Sequence, residues 1–132
     1  MLMPPISRYM SRQPWTISWD APLSQATALM QEHQIRHLPV LKDGKLVGVL
    51  SERDVFRLER LRYLSNHFTV EDAMSSDVYC AAVDDPVDAV VERMAANKLG
   101  SVVVVDRSSR IEGVFTTVDG MQVLAEVLRR VA

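Results

Sequence analysis

The sequence lacks the hallmarks of several protein classes. It has one cysteine, Cys80, which excludes an internal disulfide and a zinc site built from clustered cysteines. No apolar run approaches the roughly 20 residues that span a bilayer. The start, residues 1–5, has neither the basic region nor the long apolar stretch of a signal peptide. We therefore expect a cytoplasmic protein with no membrane partner.

Charge and chemistry exclude further classes. Fifteen Lys and Arg residues against 17 Asp and Glu residues give a net charge of -2, so we expect no nucleic-acid partner. His33, His37 and His67 fall on different predicted elements, so no metal site is expected. The sequence brings together neither a paired acid and base nor a Ser/His/Asp set. We therefore expect no enzymatic activity.

What the sequence does contain is an ordinary globular composition, 48% hydrophobic and 24% charged. Period-two and helical patterns alternate along it, with an Asp43-Gly44 hairpin signal and prolines at helix starts. After an arm over residues 1–13, the predicted strands cover residues 14–19, 35–41, 45–50, 78–83, 101–105 and 111–115. The predicted helices begin near residues 22, 54, 86 and 119, with one helical turn at residues 70–74.

The two halves of this pattern form an internal repeat. Residue pairs offset by 64 are Met10 and Met74, Asp20 and Asp84, Pro22 and Pro86, Met30 and Met94, and Ile35 and Leu99. The repeat predicts an α+β fold of two β-α-β-β-α units, each too small to bury its faces alone. The predicted division is a first repeat with its arm over residues 1–64, a linker over 65–72 and a second repeat over 73–132.

One stretch of each repeat holds the candidate site. Residues 48–54, GVLSERD, recur as residues 113–119, GVFTTVD, offset by 65. Each copy has a glycine, a hydroxyl residue three positions later and an aspartate three positions after that, where a strand gives way to a helix. The hydroxyl and the acid can cap the helix. They can equally face a ligand at the strand-to-helix corner, and the spacing alone leaves both interpretations open.

These features resemble a tandem pair of cystathionine-β-synthase (CBS) domains, also called a Bateman module. The resemblance rests on both corners, on Met10-Ser11 and Ala73-Met74-Ser75 opening the repeats, and on the IRHLPV sequence of residues 35–40. It implies two units packed sheet to sheet about a pseudo-twofold axis, and a homodimer. It also implies that clefts between the units bind adenosine ligands: AMP, ADP, ATP or S-adenosylmethionine. Such modules regulate other proteins in signal transduction, so we expect a separate effector protein and no required cofactor.

The resemblance also implies roles for individual residues. The aspartates would accept hydrogen bonds from ribose hydroxyls, the hydroxyl residues would lie near a phosphate, and the first strand of each unit would line the adenine. The preferred nucleotide site would comprise Thr116, Asp119, Gly113, Cys80 and Ala81, with His37, Arg53 and Arg36 as phosphate-facing groups. The weaker site would comprise Ser51, Asp54, Gly48, Thr16, Ile17 and Ser101.

Two functional hypotheses follow. The first is a regulatory sensor of an adenosine ligand, in which the phosphorylated ligand prefers the Thr116 and Asp119 corner. The second is a ligand-independent dimerisation or scaffold module, in which both corners are only helix caps. Separately, Cys80 is expected to be a small buried side chain.

Overall fold

The computed structural model describes residues 2–12, 14–61 and 67–132. Part of the predicted linker, residues 65 and 66, lies outside these described residues. The elements in chain order are a 3-10 turn Ile6–Arg8, β1 Ser11–Arg12, β2 Ile17–Ser18, α1 Leu23–His33, β3 His37–Lys42, β4 Lys45–Ser51, α2 Glu52–Glu59, α3 Val70–Ala73, β5 Cys80–Ala82, α4 Val87–Asn97, β6 Ser101–Val105, β7 Ile111–Thr116 and α5 Thr117–Val131. None of the helices in this part of the chain has the length and apolarity needed to cross a bilayer.

The elements form two compact units. The first unit is Trp15–Val78, and the second unit joins Met1–Pro14 to Tyr79–Ala132. Each contains the predicted β-α-β-β-α order, from β2 to α2 in the first and from β5 to α5 in the second. The predicted α+β repeat is therefore confirmed. The structural division differs from the predicted repeat boundaries in two respects: the N-terminal arm packs with the second repeat, and residues 73–78, predicted to open the second repeat, belong to the first unit.

Each unit has one sheet. In the first unit the strand order is β2-β3-β4, with β2 parallel to β3 and β3 antiparallel to β4. In the second unit the order is β1-β7-β6-β5, so β5, β6 and β7 repeat this arrangement and β1 adds an antiparallel edge strand. The β3–β4 hairpin turns through Asp43 and Gly44, both with positive φ (52° and 77°), as the sequence predicts.

The arm joins the second unit because its apolar residues complete that unit's core. Ile6 is fully buried and Met10 nearly so, and both belong to the same cluster as Met94 and Phe115. Backbone hydrogen bonds also tie the arm in place, from Ile6 N–H to the Asp85 carbonyl (2.7 Å) and from Val87 N–H to the Pro4 carbonyl (2.9 Å). The arm is thus part of the second unit rather than a leader to the first repeat.

Helical spacing predicts the buried faces of α1 and α4. Leu23, Ala26 and Met30 of α1 are buried in the first unit's core, and α4 buries its equivalent stripe in the second. The helix starts differ from prediction in detail. Pro22 and Pro86 are N-cap residues with extended backbone rather than first helical residues. The helices α2 and α5 begin two residues before the predicted aspartates, because the hydroxyl residues are their N-caps.

Candidate functional site

The corner of the first unit is where β4 passes into α2. Ser51 has extended backbone, and its Oγ accepts a hydrogen bond from Asp54 N–H (3.1 Å). In return, the Ser51 N–H donates to Asp54 Oδ2 (3.0 Å). This reciprocal pair is a capping box, which satisfies two backbone donors that the helix start would leave unpaired.

The corner of the second unit repeats this geometry where β7 passes into α5. The Thr116 N–H donates to Asp119 Oδ2 (2.8 Å), and Asp119 N–H donates to Thr116 Oγ1 (3.5 Å). The Thr116 hydroxyl also donates to the same carboxylate oxygen (3.2 Å). The equivalent acids therefore take equivalent positions in the two units.

The capping box uses one of the two carboxylate oxygens of each aspartate. In both corners the box engages Oδ2, and among the described residues Oδ1 of Asp54 and of Asp119 accepts no hydrogen bond. Both aspartates are half-buried, and no buried side-chain oxygen or nitrogen in the described part of the chain lacks a partner. Oδ1 therefore remains accessible to an outside donor. Because a carboxylate accepts several hydrogen bonds, the two interpretations of these corners are compatible.

The two glycines lie against chain segments rather than in open space. A Cβ built on Gly113 would lie 2.6 Å from both Met10 Sδ and the Ser11 carbonyl oxygen. A Cβ built on Gly48 would lie 2.7 Å from Met74 Sδ and 2.8 Å from the Ser75 carbonyl oxygen. The structure thus gives both glycines a packing role, and their role toward a ligand stays a prediction.

These contacts also assign a role to the Met-Ser pairs that open the repeats. Ser11 pairs with Val114 in the antiparallel β1–β7 ladder. Ser75 exchanges two backbone hydrogen bonds with Val49, each 2.9 Å. In each unit, the corner is therefore covered by the residues that open the other repeat in sequence. The two Met-Ser pairs are visible in the sequence because they recur at an offset of 64 residues. The offset does not reveal which corner each pair covers.

Three basic residues flank the first unit's corner in the chain or across the β3–β4 ladder. His37 lies directly opposite Ser51 across the β3–β4 ladder. Burial lowers the pKa of His37 below its ordinary 6.5, and the negative charge of Asp54 partly opposes this. Arg36 and Arg53 are exposed, and neither forms a salt bridge within residues 2–12, 14–61 and 67–132.

The equivalent positions in the second unit carry no charge. Ser101 lies opposite Thr116 in the β6–β7 ladder, as His37 does opposite Ser51. Gly100 and Val118 stand where the first unit has Arg36 and Arg53. The assignment of the first unit's cations to the Thr116 corner, and of Ser101 to the weaker site, joins residues of different units and stays a prediction.

The predicted adenine-lining residues occupy the first strand of each unit. Ile17 and Ala81 are buried, and Thr16 is half-buried. The expectation for Cys80 is wrong, because its side chain is exposed. Strand alternation points Ala81 into the core and leaves Cys80 and Ala82 outside. Partial desolvation still raises the pKa of the Cys80 thiol above its ordinary 9.0.

Among the described residues, no group of three or more His, Cys, Asp or Glu side chains is placed to hold a metal ion.

Comparison with known proteins identifies the repeat. The family model of the CBS domain matches residues 6–60 and, a second time, residues 70–126. The chain belongs to the CBS-domain family. The first match begins at residue 6, so the CBS repeat in sequence starts within the arm that packs in the second unit.

Two curated relatives of this CBS pair are enzymes. One is an inosine-5'-monophosphate dehydrogenase from Thermoplasma acidophilum, 33% identical over 108 residues that cover 82% of this chain and 21% of the relative. The other is an L-aspartate semialdehyde sulfurtransferase from Methanocaldococcus jannaschii, 32% identical over 111 residues that cover 83% of this chain and 21% of the relative. The chain spans about a fifth of the length of each enzyme.

A solved structure matches nearly the whole CBS pair. It is the CBS domain pair of protein MJ0100 in complex with 5'-methylthioadenosine and S-adenosyl-L-methionine. The two structures superpose with a TM-score of 0.84 at 28% sequence identity, covering 95% of this chain and 98% of the other.

Proposed function

We propose that this CBS pair is a regulatory module that binds an adenosine ligand at its strand-to-helix corners and signals to a separate effector protein as a homodimer. The carboxylate geometry is the observation that carries the proposal. In each unit one aspartate oxygen completes the helix cap while the other stays open to a donor, at the N-terminus of a helix. The complex of the MJ0100 CBS pair with 5'-methylthioadenosine and S-adenosyl-L-methionine supports a ligand of this class.

The chemistry of the corner suits a nucleoside. A ribose presents two neighbouring hydroxyls, and an ionised carboxylate is purely an acceptor, so the free oxygen of Asp54 or Asp119 suits a ribose hydroxyl. The helix dipole favours a phosphate or carboxylate group near Ser51 or Thr116. On the first strand of each unit, the residues open to the base would be Thr16 and Cys80, because Ile17 and Ala81 are buried in the cores of their units.

The proposal ranks the two corners. A phosphorylated adenosine such as AMP, ADP or ATP would prefer the Thr116 and Asp119 corner, with Arg36 and Arg53 as its cations and His37, whose pKa is lowered, as a hydrogen-bond partner. The Ser51 and Asp54 corner would stay empty or take an uncharged ligand, because its predicted partner Ser101 carries no charge. The proposed activity is regulatory rather than catalytic, and no cofactor is required.

Substitution of each aspartate by asparagine tests the proposal. Asn can keep its carbonyl oxygen in the capping box but places an amide donor where the free carboxylate oxygen was. We expect Asp119→Asn to weaken AMP binding measured by calorimetry by about 10-fold to 100-fold, the range of a hydrogen bond to a charged group. Asp54→Asn is the matched control, with a smaller effect on AMP. Loss of AMP binding in Asp54→Asn alone would show that the ranking of the corners is wrong.

A ligand-independent scaffold is the second candidate function. The observation in its favour is that both capping boxes are complete without a ligand. Thermal-shift measurements with AMP, ADP, ATP and S-adenosylmethionine separate the two, because a ligand at 100 times its dissociation constant stabilises the folded state by about 2.7 kcal/mol. If none of the four ligands raises the melting temperature at millimolar concentration, the scaffold function replaces the sensor.

A further inference from the structure

The indole of Trp15 has one covered face and one open face. Its ring stacks on the imidazole of His33, with 3.8 Å between the ring centroids and 14° between the ring planes. Even so, 51% of the Trp15 side chain is exposed, so the face opposite His33 lies open. His33 is the last residue of α1, and its contact with the indole fixes the orientation of the ring. The first unit thus presents a flat aromatic surface that is already held in place.

Trp15 lies at the same end of the first unit's sheet as the Ser51 and Asp54 corner. It stands two residues before Ile17, where β2 begins, and β2 runs parallel to β3. β3 begins at His37, which pairs with Ser51 at the end of β4. Because neighbouring strands lie about 4.8 Å apart, β2 and β4, on either side of β3, are about 10 Å apart. This separation is comparable with the length of a nucleoside.

An open indole face is a surface on which a nucleobase stacks. Loss of such a stack weakens the binding of a base by about 10-fold to 100-fold. Because His33 already orients Trp15, the indole loses little conformational freedom when a base covers it, which favours binding. The stack requires neither a phosphate on the ligand nor a cation on the protein, so it suits an uncharged nucleoside.

The equivalent aromatic residue of the second unit offers no such face. Tyr79 follows Trp15 by 64 residues, the offset of the repeat. The guanidinium of Arg93 lies over the Tyr79 ring, 4.2 Å from its centroid, and the half-buried side chain packs against the second unit's core. Trp19 of the first unit is covered in the same way, by the Lys42 ammonium at 4.3 Å and by the first unit's core. Of these three rings, Trp15 alone keeps an open face.

We propose that Trp15 is the base-stacking residue of the first unit's corner, and that this corner binds a purine nucleoside without a phosphate. The base covers the open indole face, and a ribose hydroxyl donates to the free Oδ1 of Asp54. The inference rests on the proposed function and deepens it, because it names the ligand class of the Ser51 and Asp54 corner and a residue that contributes to its specificity.

Adenosine titrations of tryptophan variants test the assignment. In calorimetry we expect Trp15→Ala to weaken adenosine binding about 10-fold to 100-fold, and Trp15→Phe, which keeps an aromatic face, to weaken it less than about fivefold. Trp19→Phe is the matched control and should bind adenosine like wild type. This control leaves Trp15 as the only tryptophan, so adenosine should change its fluorescence with the dissociation constant that calorimetry gives. Circular dichroism verifies that the variants fold.

The outcomes separate the stack from the sensor. Equal adenosine affinity of wild type and Trp15→Ala would overturn the stack, as would unchanged Trp15 fluorescence when the protein is saturated with adenosine. Wild-type protein that binds AMP but no adenosine at millimolar concentration would also overturn it. In all three cases the sensor stands. If calorimetry detects binding of neither adenosine, AMP, ADP, ATP nor S-adenosylmethionine, the sensor fails and the stack fails with it, so the two failures are distinguishable.

Discussion

Two glycines of the second unit should respond in opposite directions to the same substitution. Gly113 lies in β7 with its Cβ direction blocked, 2.6 Å from both Met10 Sδ and the Ser11 carbonyl oxygen. Gly120 lies inside α5, where the nearest atoms to a new Cβ belong to the Phe115 ring at 3.9 Å. Neither glycine has a positive φ, so backbone strain does not distinguish the two sites. The two sites differ in the space for one methyl group and in secondary structure, since Gly113 lies in a strand and Gly120 in a helix.

The expected changes in the free energy of unfolding follow from the surroundings of each glycine. In Gly113→Ala the Met10 side chain can rotate, but the Ser11 oxygen belongs to a backbone paired with Val114 and must shift by most of an ångström. Overpacking of this kind costs about 1–3 kcal/mol, and the lower entropy of the unfolded alanine chain offsets about 0.4–1 kcal/mol. We expect a net loss of about 1–2 kcal/mol. Gly120→Ala should instead stabilise by about 0.5–1 kcal/mol, the helix propensity of alanine over glycine.

Urea unfolding followed by far-ultraviolet circular dichroism measures both changes. Gly48→Ala is the equivalent substitution in the first unit. Its effect can also be followed by fluorescence, because both tryptophans, Trp15 and Trp19, lie in that unit and report its unfolding. We expect Gly48→Ala to lower the midpoint of the fluorescence transition. If Gly113→Ala left the midpoint unchanged or raised it, the packing of the Met-Ser segment on the corner would be refuted.

Three further predictions concern single side chains. Ile6→Ala should cost about 2–5 kcal/mol of the free energy of unfolding, because Ile6 is fully buried in the second unit; a cost near zero in urea unfolding would contradict the assignment of the arm to that core. Burial lowers the pKa of His37 below 6.5, so the unfolded chain binds its proton at higher pH than the folded unit, and the contribution of His37 to stability is complete above about pH 6.5 and declines as pH falls toward the folded pKa. His37→Gln should therefore reduce the loss of stability between pH 7.5 and pH 5.5 in denaturant titrations, whereas an unchanged pH dependence would exclude His37 as its source. Because the pKa of the Cys80 thiol is raised, alkylation at pH 8 should be slower in the folded protein than in urea, despite the exposure of Cys80; equal rates by mass spectrometry would argue against the raised pKa.

Much of the fold was predictable because it depends on local pattern. The buried faces of α1 and α4 follow helical spacing, and the Asp43-Gly44 turn follows from the conformations those two residues tolerate. The capping boxes at the two corners were also predictable, since hydroxyl and acid lie three residues apart. That each box leaves the second carboxylate oxygen open was not, because burial and hydrogen bonding of that oxygen depend on how the rest of the unit packs around the corner.

Cys80 shows where pattern fails. The sequence of a short strand of small residues is compatible with either of its faces packing on the core. The pairing of β5 with β6 places Ala81 inward and leaves Cys80 exposed. The prediction of a buried cysteine was wrong because burial depends on the register of the strand in the sheet.

Residues a few positions apart were enough to predict a hydroxyl-and-acid corner at the end of each β-α-β-β unit, and the offsets of 64 and 65 residues were enough to show a duplication. That Met10 and Ser11 cover Gly113 while Met74 and Ser75 cover Gly48 is known from the folded structure alone. Either glycine could accept either Met-Ser pair as far as composition and spacing are concerned. The backbone pairing of Ser11 with Val114 and of Ser75 with Val49 selects the partner, and this pairing is a property of the folded chain.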